Sequence, residues 1–374
     1  MKVTKLWKFK YKASILGIEI ADINCNGQSE IIAYTKTGIL LFISLSGKLL
    51  HEEIISKDLP LWHLRICDID DDGRLELILG GMDGILRIFK CSFAYNLELF
   101  WTHKFGASIS GILIGDINND NKNELIVFSL DKTLRVLNPY DGKLVWGQVF
   151  EDGVGDAKIF INDKNFHKKE ILACGNDGTI RSFAGIAGNL LWFKKHTDKM
   201  RAIAYMNTIK GQLVIYGGDD KKLHIINKNT QEEIKTKEFD DYIWKCISYP
   251  SPIFNNALVS SYSFAYFDES IPLEKTEFTS QLICLDQSLS INWELIGYNI
   301  EFLNIIGKFD EFYIFAVTTK GELLIIEEQT GKILINNIYN SCANMIQFLT
   351  KKRLLLSCFD DGTIITYKLD EHLD

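Results

Sequence analysis

The stretch CDIDDDGRLELILGGMDGILRIFK, residues 67–90, contains an acidic loop, an apolar run, a glycine turn and a second apolar run. Short apolar runs bounded by turn residues are typical of β-strands joined in a hairpin. Four aspartates lie in the five positions 68–72, directly before the first run. The loop therefore either holds a cation or is a turn whose aspartates bond to their own backbone.

The same arrangement recurs along the chain. Two further copies carry the acidic loop, ADINCNGQSEIIAYTKTGILLFIS (residues 21–44) and GDINNDNKNELIVFSLDKTLRVLN (residues 115–138). Five others keep the apolar runs and the turn without the acids, and one of them contains an insertion at residues 267–280. The period, about 43 to 48 residues, is typical of propeller blades.

The repeats predict an all-β chain, a single β-propeller domain over residues 1–374 with eight four-stranded blades. Seven blades are possible if one degenerate repeat is irregular. The repeats start near residues 15, 62, 110, 155, 201, 243, 301 and 343. The last repeat lacks its fourth strand, and Lys5–Lys10 at the N-terminus have the pattern of one. We therefore expect an N-terminal strand to complete the last blade and close the ring.

Composition excludes several classes of protein. The net charge of −8 argues against a general binder of nucleic acid or anionic membranes, since both need a basic face. No apolar run approaches the roughly 20 residues of a membrane helix, and the N-terminus does not have the pattern of a signal peptide. Eight scattered cysteines, without a CxxC pair, favour reduced thiols. We expect a soluble cytoplasmic protein without an integral membrane segment.

The pattern DIDDDGRLELILGGMDG, residues 68–84, resembles the FG-GAP/VCBS type of β-propeller found in the integrin α-subunit head. Its continuation is most similar to intracellular members, such as the propellers of BBSome subunits and the FG-GAP protein of the KICSTOR complex. NPYDGKLVW, residues 138–146, also resembles a quinoprotein-type repeat. Such families use the propeller mainly as a rigid platform, so the resemblance implies an interaction scaffold with other proteins as partners.

The acidic loops are candidate Ca²⁺ sites, because hard cations take several oxygen ligands and alternating carboxylates on a curved loop supply them. The candidate ligands are Asp68, Asp70, Asp72 and Glu76 in the second loop, Asp116, Asn118, Asp120 and Glu124 in the third, and Asp22, Asn24, Asn26 and Glu30 in the first. The number of carboxylates ranks the second loop first. In the fourth repeat the acids are missing.

The alternative reading of these loops needs no metal. Asp and Asn side chains cap their own backbone in Asx-turns whether or not an ion is present. Even an occupied site would brace the loop rather than catalyse a reaction, because all its protein ligands come from one short segment.

A second candidate site lies on the opposite face of the ring. Trp62 and Trp244 open the first strands of two blades, near the central channel, and aromatic residues and arginine are enriched in binding hot spots. The candidate partner-binding residues are Trp62, His63, Arg65, Arg201, Tyr242 and Trp244. The insertion at residues 267–280 should rise on the same face. The alternative is that these aromatics only cap the core.

The sequence gives little support for an enzyme, because the seven histidines form no HExxH pattern and no P-loop or G-x-S-x-G motif occurs. The sequence therefore predicts a non-enzymatic scaffold or a subunit of a protein complex. An enzyme or small-ligand receptor that uses the central channel, as the quinoprotein-like repeat implies, is the alternative. An extracellular glycan-binding domain is a third, which requires a leader sequence.

Overall fold

Eight four-stranded antiparallel sheets make up the described part of the computed structural model, which comprises residues 2–161, 169–208, 211–249, 256–264, 275–308 and 311–370. Each sheet is one blade, and seven of the eight consist of four consecutive strands. The predicted all-β propeller is confirmed with eight blades rather than seven.

The strands of each blade are named a to d, from the channel outward. Blades 1 to 4 comprise β2 (Ile15–Ala21), β3 (Glu30–Thr35), β4 (Ile39–Ser44), β5 (Leu49–Ile54); β6 (Leu61–Cys67), β7 (Glu76–Gly81), β8 (Ile85–Cys91), β9 (Leu97–Lys104); β10 (Ile109–Gly115), β11 (Glu124–Ser129), β12 (Thr133–Leu137), β13 (Leu144–Val149); and β14 (Val154–Ile161), β15 (Lys169–Gly175), β16 (Thr179–Ala184), β17 (Leu190–Lys195).

Blades 5 to 8 comprise β18 (Met200–Thr208), β19 (Gly211–Gly218), β20 (Lys222–Asn227), β21 (Glu233–Glu238); β22 (Tyr242–Ser248), β23 (Ala257–Tyr262), β24 (Gln281–Leu285), β25 (Ile291–Ile296); β26 (Ile300–Lys308), β27 (Glu311–Thr318), β28 (Glu322–Glu327), β29 (Ile333–Ile338); and β30 (Ala343–Leu349), β31 (Leu354–Phe359), β32 (Thr363–Leu369) with β1 (Val3–Lys10). A 3-10 turn at Thr350–Lys352 joins β30 to β31.

The ring closes in the eighth blade, where the two ends of the chain meet. β1 pairs antiparallel with β32, with Val3 opposite Leu369 and Lys10 opposite Thr363. The sheet order β1-β32-β31-β30 makes β1 the d strand of the last blade. The predicted closure by an N-terminal strand is therefore confirmed, and it covers an edge that would otherwise expose unpaired backbone groups.

The position of a strand within its blade decides how much of it is buried. Every residue of β7 and β11 is buried, because strand b packs against a neighbouring blade on both faces. The d strand β9 instead has only exposed and half-buried residues. Burying one Leu, Ile or Val side chain stabilises a fold by about 1.5–3 kcal/mol, so the b strands contribute strongly to stability.

Tryptophans on the d strands connect each blade to the next. Trp101 Nε1 donates to the Pro139 carbonyl oxygen at 2.8 Å, and Trp146 Nε1 donates to that of Gly185 at 2.9 Å. Gly142 has a φ of +67°, and a Cβ there would lie 2.7 Å from a ring carbon of Trp101, so only glycine fits under the ring. These tryptophans therefore pack between adjacent blades.

All eight cysteines are free thiols. Among the described residues, no helix has the length and apolar character needed to cross a membrane.

Candidate functional site

The three acidic loops are the a–b connections of blades 1, 2 and 3, and each one contacts the next blade. Asn24 Nδ2 donates to the Phe93 carbonyl oxygen in the c–d connection of blade 2, at 3.4 Å. Tyr140, in the c–d connection of blade 3, donates its hydroxyl to Asp71 Oδ2 at 3.4 Å. The loops therefore lie on the face of the ring that carries the c–d connections.

A glutamate at the start of strand b closes each loop in the same way. Its Oε2 accepts the backbone N–H of the residue seven positions earlier, which is an isoleucine in all three loops. The bonds join Ile23 to Glu30 at 3.3 Å, Ile69 to Glu76 at 2.9 Å and Ile117 to Glu124 at 2.9 Å. This bond shapes the loop without any metal ion.

The first carboxylate of each loop also caps the backbone. Asp22 accepts the N–H groups of Asn26 and Gly27 at 3.0 and 2.8 Å. Asp68 Oδ2 accepts Gly73 N–H at 2.9 Å, and Asp116 Oδ1 accepts Asn119 N–H at 2.6 Å. These contacts are the Asx-type turns that we expected if the loops bind no metal.

The second loop has free acceptor oxygens as well. Carboxylate oxygens of Asp68, Asp70 and Glu76 lie within 4.8 Å of one another. Asp68 Oδ1, Asp70 Oδ1 and Glu76 Oε1 are buried and have no hydrogen-bond donor among the described residues. Buried acceptors without donors are unfavourable, so these three oxygens fit a hard cation such as Ca²⁺.

Lys90 of β8 provides a positive charge beside these oxygens. Its Nζ bonds to Asp70, lies 3.0 Å from Asp72 Oδ2 and lies 4.0 Å from Glu76 Oε1. Lys90 is the cross-strand partner of Glu76, so sheet register brings it to the loop. Sequence reasoning missed Lys90, although its place opposite the glutamate of the b–c hairpin was a usable signal.

Glu76 is held in an environment that disfavours its charge. The carboxyl group is fully buried, and this burial raises its pKa to about 7, with the neighbouring Asp70 carboxylate adding to the shift. The hydrogen bonds from Lys90 to Asp70 and Asp72 raise the pKa of the Lys90 ammonium. Bound Ca²⁺ would hold Glu76 ionised and would compete with Lys90 for the same oxygens.

In the other two loops, donors from the protein occupy the corresponding oxygens. Tyr95 donates its hydroxyl to Glu30 Oε1 at 3.1 Å in the first loop. In the third, Asn118 Nδ2 donates to Glu124 Oε1 at 2.7 Å and to Asp120 Oδ2 at 3.1 Å. Asn26 Oδ1 of the first loop accepts the Gln28 N–H at 2.7 Å. Of the three loops, the second therefore has the carboxylate oxygens that are best suited to bind a cation.

Blade 4 contains a counterpart of these glutamates that sequence reasoning missed. Glu170 stands opposite Ala184 as Glu76 stands opposite Lys90, and it is buried. It accepts hydrogen bonds from the buried Lys228 ammonium of blade 5 and, at 2.8 Å, from the Ser182 hydroxyl. The preceding loop, residues 162–168, lies outside the described residues.

The central channel contains a cavity of about 690 Å³. Strands a of blades 2 to 7 supply most of its wall, with these lining residues: His63, Arg65, Ser110, Gly155, Asp156, Lys158, Asn176, Arg201, Trp244, Lys245, Cys246, Ile247, Phe302 and Leu303. The wall therefore carries more cationic than anionic side chains.

Three of the four cations in the channel wall have an anionic partner. Arg65 lies 3.8 Å from Glu19, Lys158 lies 2.7 Å from Asp156, and Arg201 forms a bidentate pair with Asp219. Lys245 has no ion pair within the described chain, and its burial lowers the pKa of its ammonium. Burial in the channel wall, together with Arg65, lowers the pKa of His63 to about 3.

Four of the six predicted partner-binding residues line this cavity, namely His63, Arg65, Arg201 and Trp244. The other two, Trp62 and Tyr242, are half-buried near the start of strands a and are not among the lining residues. The structure therefore brings four of the predicted residues together and leaves two beside them.

Tyr242 instead belongs to an aromatic cluster, Tyr242, Trp244, Tyr262 and Phe264, which we call the rim cluster. Trp244 stacks on Tyr262 with ring centroids 5.1 Å apart, and Phe264 contacts the other three rings at 5.1–5.6 Å. The Arg201 guanidinium lies 5.4 Å from the Trp244 ring. The cluster combines side chains typical of binding hot spots.

The predicted insertion at residues 267–280 follows Phe264 of the rim cluster in the chain. Residues 265–274 lie outside the described residues. At its described end, Thr279 Oγ1 donates to Asp241 Oδ2 at 2.6 Å, directly before β22. The insertion therefore ends on the face of the d–a connections.

Sequence comparisons match two parts of the chain. Residues 56–141 match the family described as KICSTOR complex protein kaptin, and residues 139–253 match the family described as lambda-carrageenase beta-propeller domain. The expected similarity to a KICSTOR protein is thus found in the segment that contains the second and third acidic loops. No curated protein matches the chain.

Solved structures match over nearly the whole chain. The computationally designed Ika8 protein is 13% identical with a TM-score of 0.72, covering 98% of this chain and 99% of its own. Sqt1 of Saccharomyces cerevisiae is 12% identical with a TM-score of 0.74, covering 99% and 100%. BamB of Moraxella catarrhalis is 15% identical with a TM-score of 0.64, covering 98% and 100%. At these identities the likeness establishes the propeller fold alone.

Proposed function

We propose that the protein is a non-enzymatic interaction scaffold or a subunit of a protein complex, with other proteins as its partners. The observation that supports this proposal is the rim cluster and the neighbouring Arg201. Tyr242 and Trp244 are half-buried aromatic residues, and the Arg201 guanidinium lies beside the Trp244 ring. A partner that covers them would bury a large aromatic area with little loss of conformational freedom.

The match of residues 56–141 to a KICSTOR complex protein supports the same role, since that protein is described as part of a complex. Free cysteines throughout the chain agree with a reducing compartment, and we propose a cytoplasmic location.

Affinity purification from the native cell, followed by mass spectrometry, tests the proposal. Proteins that co-purify with the wild-type chain in stoichiometric amounts should be lost with the Tyr242→Ala/Trp244→Ala variant. Phe193→Ala is the matched control, because Phe193 is 59% exposed on the outer strand β17. Thermal melting should first establish that all three chains are folded. Unchanged partners in the double variant would contradict the assignment of this surface.

We also propose that the second acidic loop binds Ca²⁺ as a structural brace. Support comes from the three buried oxygens of Asp68, Asp70 and Glu76 that lack donors. The Asp70→Ala and Asp72→Ala variants should lower the melting temperature more in Ca²⁺ than in chelator. Equal losses in the two conditions would remove the metal from the proposal.

A small anionic ligand in the central channel is the second candidate function. One observation favours it, namely that Lys245 faces a cavity of about 690 Å³ without an ion-pair partner in the described chain. A ligand of this kind should appear when the purified protein is denatured and its small molecules are analysed by mass spectrometry, and it should be absent from Lys245→Met. If the wild-type protein releases no such molecule, the interaction scaffold is the better supported function.

A further inference from the structure

The b–c hairpins of blades 3 and 4 share a three-residue unit. An aspartate in the turn pairs with an arginine four positions later, as in Asp131–Arg135 at 2.9 Å and Asp177–Arg181 at 2.8 Å. Each guanidinium also packs on the phenylalanine that directly follows the d strand of the preceding blade. Arg135 lies 4.4 Å from the ring centroid of Phe105, and Arg181 lies 4.0 Å from that of Phe150.

Blade 5 keeps the aspartate of this unit but replaces the other two residues by histidines. Asp220 and His224 stand in the places of the aspartate and the arginine, and pair at 2.7 Å. His196 stands in the place of the phenylalanine, since its N–H bonds to the preceding b–c turn as Phe105 and Phe150 do. The two imidazole rings lie 4.5 Å apart. A structural cation–π unit has thus become a group of one carboxylate and two imidazoles.

The donor atoms of this group converge. One ligand atom each from His196, Asp220 and His224 lies within 4.8 Å of the others. Only 7% of His224 is exposed, and its ring stacks on Tyr216 with centroids 5.2 Å apart. Two imidazoles and a carboxylate are a ligand set that suits Zn²⁺ and not Ca²⁺, which prefers oxygen.

The remaining ring nitrogen of His224 is also held. His224 Nε2 faces Asp220 Oδ2, while Nδ1 lies 3.1 Å from Glu233 Oε2 on β21. Histidines that bind a metal characteristically donate their other ring N–H to a carboxylate, which orients the ring and raises its basicity. A hydrogen bond between Tyr216 Oη and His196 Nε2, at 3.1 Å, orients the second imidazole.

We propose that His196, Asp220 and His224 bind Zn²⁺, with Glu233 as the positioning residue and a fourth coordination position open to solvent or a partner. Because His196 follows β17 and the other two ligands belong to blade 5, the ion connects blades 4 and 5. Without metal, the two ring nitrogens of His224 bridge Asp220 and Glu233.

The test uses the full chain after chelator treatment, titrated with Zn²⁺ by calorimetry and with Co²⁺ by its visible absorption. The key variant is His196→Phe/His224→Arg, which rebuilds the unit of blades 3 and 4 and should therefore fold. It should lose the tight Zn²⁺ site and the tetrahedral Co²⁺ spectrum, while Glu233→Gln should weaken Zn²⁺ binding by about 10–100-fold.

Phe193→Ala, at an exposed position of the outer strand β17, is the control and should bind Zn²⁺ like the wild type. Zn²⁺ binding that survives in His196→Phe/His224→Arg, or that disappears in the control, would overturn the proposal. So would a wild-type chain that binds no Zn²⁺ at micromolar concentrations, because His224 would then only substitute for an arginine. None of these outcomes depends on whether the rim cluster binds a partner.

Discussion

The indole nitrogen of Trp7 donates to the carbonyl oxygen of Leu45 at 2.9 Å, across the seam where the first and last blades meet. The same bond joins Trp101 to Pro139, Trp146 to Gly185 and Trp293 to Glu328, at 2.8, 2.9 and 2.5 Å. The seam closed by the N-terminal strand is therefore built with the same contact as the continuous blades.

Trp7→Ala should lower the free energy of unfolding by about 2–4 kcal/mol, because it removes ring packing and the indole bond at the seam. Trp7→Phe keeps a ring and should cost about 1 kcal/mol. Urea denaturation measures both changes, and hydrogen exchange should show faster opening of β1 and β32.

Trp192→Phe is the control for the indole bond, since Trp192 Nε1 is buried without an acceptor among the described residues. Removing a donor that lacks an acceptor should cost less than Trp7→Phe. If the two Phe variants lose equal stability, the indole bond does not hold the seam.

Lys90→Met should increase the stabilisation that Ca²⁺ provides. In chelator the variant should lose about 1–2 kcal/mol, because the Asp70 and Asp72 carboxylates lose the ammonium that pairs with them. In Ca²⁺ this loss should disappear, because the ion no longer competes with Lys90. Thermal melting in both buffers measures the difference.

Lys143→Met serves as the charge-matched control, since Lys143 is 82% exposed and pairs with Asp141 in the c–d connection of blade 3. It should leave the effect of Ca²⁺ unchanged. The same Ca²⁺ effect in Lys90→Met and in the wild type would show that the second loop does not bind the ion.

Lys228→Met should destabilise the protein by about 3–5 kcal/mol, because it leaves the buried Glu170 carboxylate without its cation. The double variant Glu170→Gln/Lys228→Met removes both charges and should recover most of the loss. Urea denaturation of the two single variants and the double variant gives the coupling energy. Additive losses would mean that the pair does not interact across blades 4 and 5.

His63 should make the protein less stable in acid. Its pKa in the native state is lowered to about 3 by burial and by Arg65, whereas an unfolded histidine titrates near 6.5. Below pH 6.5 the unfolded chain therefore binds a proton that the native chain rejects, and stability falls as the pH decreases toward 3. His63→Gln should retain about 1–2 kcal/mol more stability than the wild type at pH 5, relative to pH 7.5.

NMR titration of the His63 ring checks the same point directly. Arg65→Gln should raise the pKa of His63, because it removes the neighbouring charge. A native pKa near 6.5 would contradict the burial of this ring in the channel wall.

The repeat pattern was sufficient to predict the blades and their closure, because each hairpin is specified by residues close together in the chain. Asn121 illustrates this: it takes the place of a loop glycine, and the structure gives it a φ of 65° in the left-handed region that asparagine tolerates. The closing glutamates of the three acidic loops were predictable for the same reason.

The residues that decide the charge state of the sites were not predictable in this way. Lys90 reaches the second acidic loop through the register of β7 with β8, and Lys228 reaches Glu170 from the next blade, 58 positions along the chain. His196 and His224 meet because the end of one blade packs on the b–c hairpin of the next. The sequence alone determined the ring of hairpins, since its turns and apolar periods are local. Only the tertiary structure decided which side chains meet between strands and blades, because those distances depend on sheet register and on the closed ring.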